Sequence, residues 1–144
     1  MGGYRGYGPT HSQTLEKLFF GVFNLEIFAF DLIHDQTSIW KKMISNIQKS
    51  PFVVNKYAAL ASYLLLALGL AIFLIPNIRK EHILSDSLYY GGLLGLVIYG
   101  VFDFTNLAII KRYNINIALI DMAWGGILFT IASYISKLIL VKLQ

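Results

Sequence analysis

Four long apolar stretches divide the chain. They cover residues 15–34, 57–78, 87–110 and 113–136. Each is long enough to cross a hydrocarbon core of about 30 Å as a helix that rises about 1.5 Å per residue. The clearest is 57–78, which carries no charged side chain and is bracketed by Lys56 and Arg79. The pattern therefore predicts an all-α, multi-pass membrane protein built as a bundle of four transmembrane helices.

Two other segments have patterns of their own. In residues 37–50 helical spacing collects the apolar side chains on one face and leaves Lys41 and Lys42 mostly elsewhere. We predict a short helix in the membrane interface with Trp40 as its anchor; a connector that only tethers its neighbours is the open alternative. Residues 1–14 are rich in glycine and tyrosine and lack apolar periodicity, so they are predicted to form a flexible tail.

Composition supports a membrane location and argues against several functions. Hydrophobic residues make up 56% of the chain and charged residues only 14%, well below the usual charged fraction of a soluble domain. The net charge of +4 comes from basic residues beside the apolar stretches, as expected near lipid headgroups rather than nucleic acid. Lysine and arginine are balanced between the two predicted sides, so the orientation stays open.

The motifs of soluble enzymes do not appear in the sequence. There is no cysteine, which excludes disulfides, thiolate metal sites and cysteine nucleophiles. No Ser/His/Asp arrangement, phosphate-binding glycine loop or HExxH motif is present. Asp31, His34 and Asp35 share one helical face, but this spacing is unspecific at a helix end. We therefore predict no enzyme activity, no cofactor and no metal site.

Carboxylates inside the apolar stretches are the main chemical signal. An aspartate at the bilayer centre costs about 2.5–3.5 kcal/mol, so Asp103 and Asp121 should face the bundle interior. Each lies about 12–14 Å from the same membrane face at about 1.5 Å per residue. Helical phase puts small and polar residues on one stripe of each helix. The stripes are Gly92, Gly95, Tyr99, Asp103 and Asn106, and Asn114, Asp121, Gly125 and Ala132. We predict that they face each other, with Gly92, Gly95 and Gly125 permitting close packing.

Two interpretations of these carboxylates remain open. Two aspartates close together in a low dielectric do not both ionise readily, which favours a proton or cation site. Alternatively, each aspartate accepts hydrogen bonds that lock the two helices together. On the first helix Asp31 lies on the more polar face, which we assign to the interior. The predicted polar pocket consists of Asp103, Asp121, Tyr99, Asn106, Thr105, Trp124 and Asp31.

The last two apolar stretches also carry a family resemblance. Residues 99–108 read YGVFDFTNLA, Lys111 follows, and residues 121–125 read DMAWG. This resembles the YG-x-x-D-x-TN-x-A…K…D-x-x-WG signature of the membrane-protein family called domain of unknown function 2177, with residues 63–76 similar to its second helix. The resemblance implies four transmembrane helices, members in bacteria and large DNA viruses, and no established activity. It also implies that the aspartate of its first helix corresponds to Asp31.

Two functional hypotheses follow from these observations. The first is a small transporter or channel-like protein whose half-depth polar pocket opens toward Lys111. The second is a structural or scaffold component of a membrane, a viral membrane among the candidates, in which the aspartates only hold helices together. In either case the lipid bilayer is the first partner and nucleic acid is not one. A homo-oligomer or another membrane protein stays open as a further partner, and the sequence does not specify a ligand.

Overall fold

The computed structural model describes residues 38–142, and all regular secondary structure in this range is helical. Its helices are α1 (Ser38–Gln48), α2 (Lys56–Asn77), α3 (Ile83–Ile109) and α4 (Ile115–Lys142). α2, α3 and α4 are each long and apolar enough to cross a membrane. They correspond to three of the four predicted spans. The predicted tail, 1–14, and the predicted first span, 15–34, lie outside the described residues.

Two of the helices, α3 and α4, extend beyond the predicted apolar stretches, and each extension includes a polar residue. α3 begins at Ile83 and includes Asp86, whereas the apolar pattern begins at 87. α4 continues to Lys142 and includes Lys137, whereas the apolar pattern ends at 136. Asp86 pairs with Arg79, and Lys137 donates to the backbone carbonyl of Ile75, so both polar side chains are hydrogen-bonded where the helical backbone continues through them.

A clamp at one end of the bundle joins α2, α3 and α4. Arg79, which follows α2, donates from its backbone N–H and Nε to Asp86 Oδ2, both at 2.9 Å, and from Nη2 to Asp86 Oδ1 at 2.7 Å. Lys137 of α4 is buried and donates from Nζ to the backbone carbonyl of Ile75 at 3.2 Å. A basic side chain at the carboxyl end of a helix complements the helix dipole. The clamp fixes the turn between α2 and α3.

Asparagine side chains cap the amino-terminal ends of two of the long helices. Asn55 Oδ1 accepts hydrogen bonds from the backbone N–H groups of Tyr57 and Ala58, at 3.1 and 3.2 Å. Asn114 Oδ1 accepts from the N–H groups of Asn116 and Ile117, at 2.8 and 3.4 Å. These caps satisfy N–H groups that have no acceptor within the first helical turn.

α3 and α4 form an antiparallel hairpin whose contact is built on glycine. A side chain at Gly95 would meet the backbone carbonyl of Gly125, and one at Gly92 would meet the Thr130 hydroxyl. Gly100 lies beside Met122. Continuing this register puts Ala118 level with Asp103. Asp121 is then about 4.5 Å deeper than Asp103 along the bundle axis, because three residues of a helix span that distance.

α2 packs on the hairpin through its carboxyl-terminal half. One buried cluster joins α2 and the residue after it to α4. It contains Ala67, Leu70, Leu74 and Ile75 of α2, Ile78 directly after α2, and Leu128, Phe129 and Ala132 of α4. The outward faces carry large apolar side chains, including Leu65, Phe73, Val101 and Phe102. An apolar outer surface around helices that satisfy their own backbone hydrogen bonds suits a hydrocarbon environment.

The short helix α1 packs on the loop end of the hairpin. Met43 is buried with Tyr113 and Ala118, and Ile44 and Ile47 pack against the same cluster. The backbone N–H of Asn114 donates to Met43 Sδ at 3.4 Å. α1 thus uses its apolar face to cover the α3–α4 connection, and its predicted place in the membrane interface stays a prediction.

Candidate functional site

The candidate site is centred on Asp103, whose side chain is buried in the hairpin. Asp103 is only 1% exposed although it carries a carboxylate. Its Oδ1 accepts a hydrogen bond from the Tyr113 hydroxyl at 2.8 Å. Its Oδ2 is also buried and has no hydrogen-bond donor. One half of this carboxylate is therefore satisfied and the other half is not.

Asp121 is the second acidic side chain near the site. It is half-buried on α4 and lies close enough to Asp103 for the two carboxylates to interact electrostatically. The register of the hairpin sets it about one helical turn deeper than Asp103. The two acids are therefore neighbours along the α3–α4 contact, offset from each other in height.

The remaining predicted pocket residues have different environments. Tyr99 is half-buried, with its ring against Gly125 and edge-on to Phe129 at a centroid distance of 6.4 Å. Asn106 lies near the Tyr113 hydroxyl. Trp124 is half-buried, and its indole Nε1 is buried without an acceptor. Thr105 is exposed on α3. The structure therefore groups Asn106 with Asp103 through Tyr113, and it does not bury Thr105 with them.

The other predicted residues lie at the hairpin contact, on α1 or outside the described range. Gly92, Gly95 and Gly125 lie in the α3–α4 contact. Trp40 is half-buried, and its ring stands edge-on to Phe52 at 5.6 Å. Lys41 is half-buried and Lys42 is exposed. The predicted first span lies outside the described residues, and with it Asp31, His34 and Asp35.

Sequence reasoning misses two residues of the site. The apolar pattern puts Tyr113 at the start of the fourth span, but α4 begins at Ile115, and Tyr113 lies in the connection where Arg112 has a φ of 71°. This non-helical turn lets the phenol reach back to Asp103. Met43 packs under Tyr113 from a distant part of the chain. The position of a tyrosine directly after Lys111 and Arg112, close to a buried aspartate, is the only local signal for Tyr113.

The Tyr113 hydroxyl acts as a permanent donor. Burial raises the pKa of Tyr113 to about 12, and its hydrogen bond to Asp103 contributes in the same direction. The phenol therefore stays protonated at neutral pH. The Trp40 indole N–H also lies near this hydroxyl, without a hydrogen bond of good geometry.

The chemistry available at the site is that of carboxylate oxygens. Across residues 38–142, no group of three or more His, Cys, Asp or Glu side chains is close enough together to hold a metal ion. Asp103 and Asp121 can each offer carboxylate oxygens to a proton or a weakly held cation.

Comparison with known proteins places the chain in a family. Residues 16–138 match the family described as "Predicted membrane protein (DUF2177)". The chain belongs to this family. The match confirms the resemblance carried by residues 99–108 and 121–125, and it extends over most of the chain. With three membrane-length helices in the described part, this family member is an integral, multi-pass membrane protein. No curated protein matches the chain, and no solved structure does.

Removing the Tyr113 hydroxyl should weaken the site measurably. We expect Tyr113→Phe to lower the free energy of unfolding by about 1.5–3 kcal/mol, because it leaves Asp103 Oδ1 buried without its donor. The matched control is Tyr57→Phe, since Tyr57 is 86% exposed. Unfolding can be followed by circular dichroism in detergent. Equal stability of the two variants would contradict the assigned hydrogen bond.

Proposed function

We propose that this membrane protein conducts or transports protons or small monovalent cations through a polar pocket built on Asp103 and Asp121. The observation that carries the proposal is the buried Oδ2 of Asp103, which has no donor although Oδ1 has one. A buried acceptor normally finds a hydrogen-bond partner, because leaving it unpaired costs free energy. A carboxylate oxygen of this kind is a binding position for a proton or a cation.

Asp121 supports the same proposal. A second carboxylate close to Asp103 raises the negative potential at the site and so increases the local affinity for a positive charge. Asp121 is half-buried and lies at a different depth from Asp103, so it offers a second position for the transported ion. Chains of ionisable side chains inside a membrane protein mark proton relays in pumps and transporters, and two acids at successive depths fit such a chain.

The test is ion flux through the purified protein in liposomes. Wild-type protein should carry protons, or Na⁺ or K⁺, down an imposed gradient, detected with an enclosed pH-sensitive dye and with ion-selective electrodes. Asp103→Asn should abolish this flux, because asparagine keeps the shape and the oxygen that accepts from Tyr113 but loses the charge. Asp121→Asn should reduce it as well.

A neutral variant away from the pocket serves as the control for flux. Ser62→Ala removes a hydroxyl that lies exposed on α2 and donates only to the backbone carbonyl of Ala58, so it should leave the flux at the wild-type level. Circular dichroism and size-exclusion chromatography check that all variants are folded. Flux at the wild-type level in both Asp103→Asn and Asp121→Asn would refute the proposed role.

A structural role is the second candidate, and one contact favours it. The hydrogen bond from Tyr113 to Asp103 ties the α3–α4 connection to the helix interior, which is what a stapling aspartate would do. A scaffold protein of a membrane would then use α1 and the exposed apolar faces for its contacts. In that case Asp103→Asn lowers thermal stability in detergent, and no ion flux occurs even in the wild-type protein.

A further inference from the structure

The loop end of the hairpin is closed over Asp103 by groups from two distant parts of the chain. Tyr113 is 8% exposed and its hydroxyl contacts Asp103 directly. Met43 of α1 is equally buried and packs against Tyr113 and Ala118. Ala118, 2% exposed, lies level with Asp103. We call α1 together with Tyr113 the cap.

Both parts of the cap, α1 and Tyr113, are connected to the long helices by non-helical segments. Tyr113 lies between Ile110, whose backbone is extended, and Asn114, which begins the next helix. Arg112 beside it adopts the left-handed region with a φ of 71°. α1 ends before Lys49, which also has a positive φ, of 55°, and residues 51–55 are non-helical. Hinge motions use a few such connecting residues, while the helices move as rigid pieces.

The described contacts of α1 with the hairpin are mainly apolar. They include packing by Trp40, Met43, Ile44 and Ile47, and the hydrogen bond from the Asn114 N–H to Met43 Sδ. Thioether sulfur is a weak acceptor. Methionine packing is adaptable and tolerates rearrangement, so the Met43 contact allows α1 to shift on the hairpin.

We propose that the cap is an access gate. α1 must first move away from Tyr113, and only then can the cap open the Asp103 site to the aqueous phase on the Lys111 side. The gate serves the ion pathway proposed above, but its opening is a property of the fold that can be measured without any flux. The pocket opening predicted toward Lys111 then exists only when the cap is displaced. Tyr113 is a positioning residue of the gate, because it stays protonated and only donates to Asp103.

Thiol labelling tests the gate directly, since the chain contains no cysteine of its own. Ala118→Cys places a single thiol level with Asp103 under the cap, and a charged, membrane-impermeant thiol reagent probes it in liposomes. Met43→Ala in the same protein should raise the labelling rate by about tenfold or more, because it removes the packing that holds the cap closed. Lys42→Ala, an exposed change on the same helix, should leave the rate unchanged.

A second thiol separates local opening from general loosening. Ser133 is fully buried near the other end of the hairpin, beside Gly91, and Ser133→Cys places the second thiol there. With Met43→Ala, this thiol should stay as slow to label as before, which supports a local gate. An unchanged rate for the Ala118→Cys thiol, or an equal rise at both thiols, would overturn the proposal. Absence of ion flux with opening intact would refute only the proposed transport.

Discussion

Replacing Gly95 with alanine should destabilise the α3–α4 hairpin more than any other single-methyl change that we consider. The added carbon would meet the Gly125 backbone carbonyl and lie 2.9 Å from Phe129 Cβ. Neither neighbour is the far end of a flexible side chain, so the helices must separate. Overpacking of this kind costs about 1–3 kcal/mol and occasionally more. The measurement is the free energy of unfolding in detergent or mixed micelles.

Gly69→Ala is the matched control for this prediction. The same methyl group at Gly69 of α2 has no atom within 4 Å to meet. Both substitutions gain about the same helix propensity, up to about 1 kcal/mol, so their difference isolates the packing cost at the hairpin. Gly69→Ala should therefore be neutral or slightly stabilising. If the two variants unfolded at the same denaturant concentration, the close approach of Gly95 to Gly125 would be wrong.

The glycine and aspartate positions on α3 can be predicted because they depend only on helical periodicity. Residues at a spacing of three to four fall on one face, and a membrane helix must turn its charged and small residues toward protein. That reasoning places Gly95 and Asp103 toward α4 from the sequence alone. It gives no register between the helices, which is why the sequence predicts Asp121 at the same depth as Asp103, whereas it lies about one turn deeper.

The partners of Asp103 cannot be predicted from periodicity. The donors that the sequence analysis assigns to the pocket are Tyr99, Thr105, Asn106 and Trp124. The observed donor is Tyr113, because Asn114 caps α4 and leaves Tyr113 in a turn whose side chain can fold back. A local sequence pattern does not reveal which way a short connection directs its side chains.

The packing of α1 is also beyond the sequence pattern. An amphipathic helix shows that one face is apolar but not what covers that face. The sequence leaves both the membrane interface and simple tethering open. The structure covers the apolar face at Met43, Ile44 and Ile47 with the loop end of the hairpin. This long-range contact makes α1 a candidate gate, a role that its composition alone does not suggest.

Truncating Phe129 should have the second large effect on stability. Phe129 is 1% exposed and lies where the three long helices meet. It packs with the α2 cluster, its ring meets Tyr99 edge-on, and its backbone lies against Gly91. Phe129→Ala should cost about 3–5 kcal/mol, the usual range for removing a buried phenylalanine. The lower end of that range is expected in lipid, because the bilayer removes much of the hydrophobic transfer term and leaves the loss of packing.

Phe102→Ala is the comparison that makes the Phe129 result interpretable. Phe102 lies on α3 and is 52% exposed on the outer surface. Its loss removes the same side chain but leaves no enclosed cavity, since lipid or detergent can fill the space. We expect a change within about 1 kcal/mol, as for surface positions away from packed contacts. Similar losses for the two variants, measured by unfolding in the same detergent, would show that the buried junction of α2, α3 and α4 is assigned incorrectly.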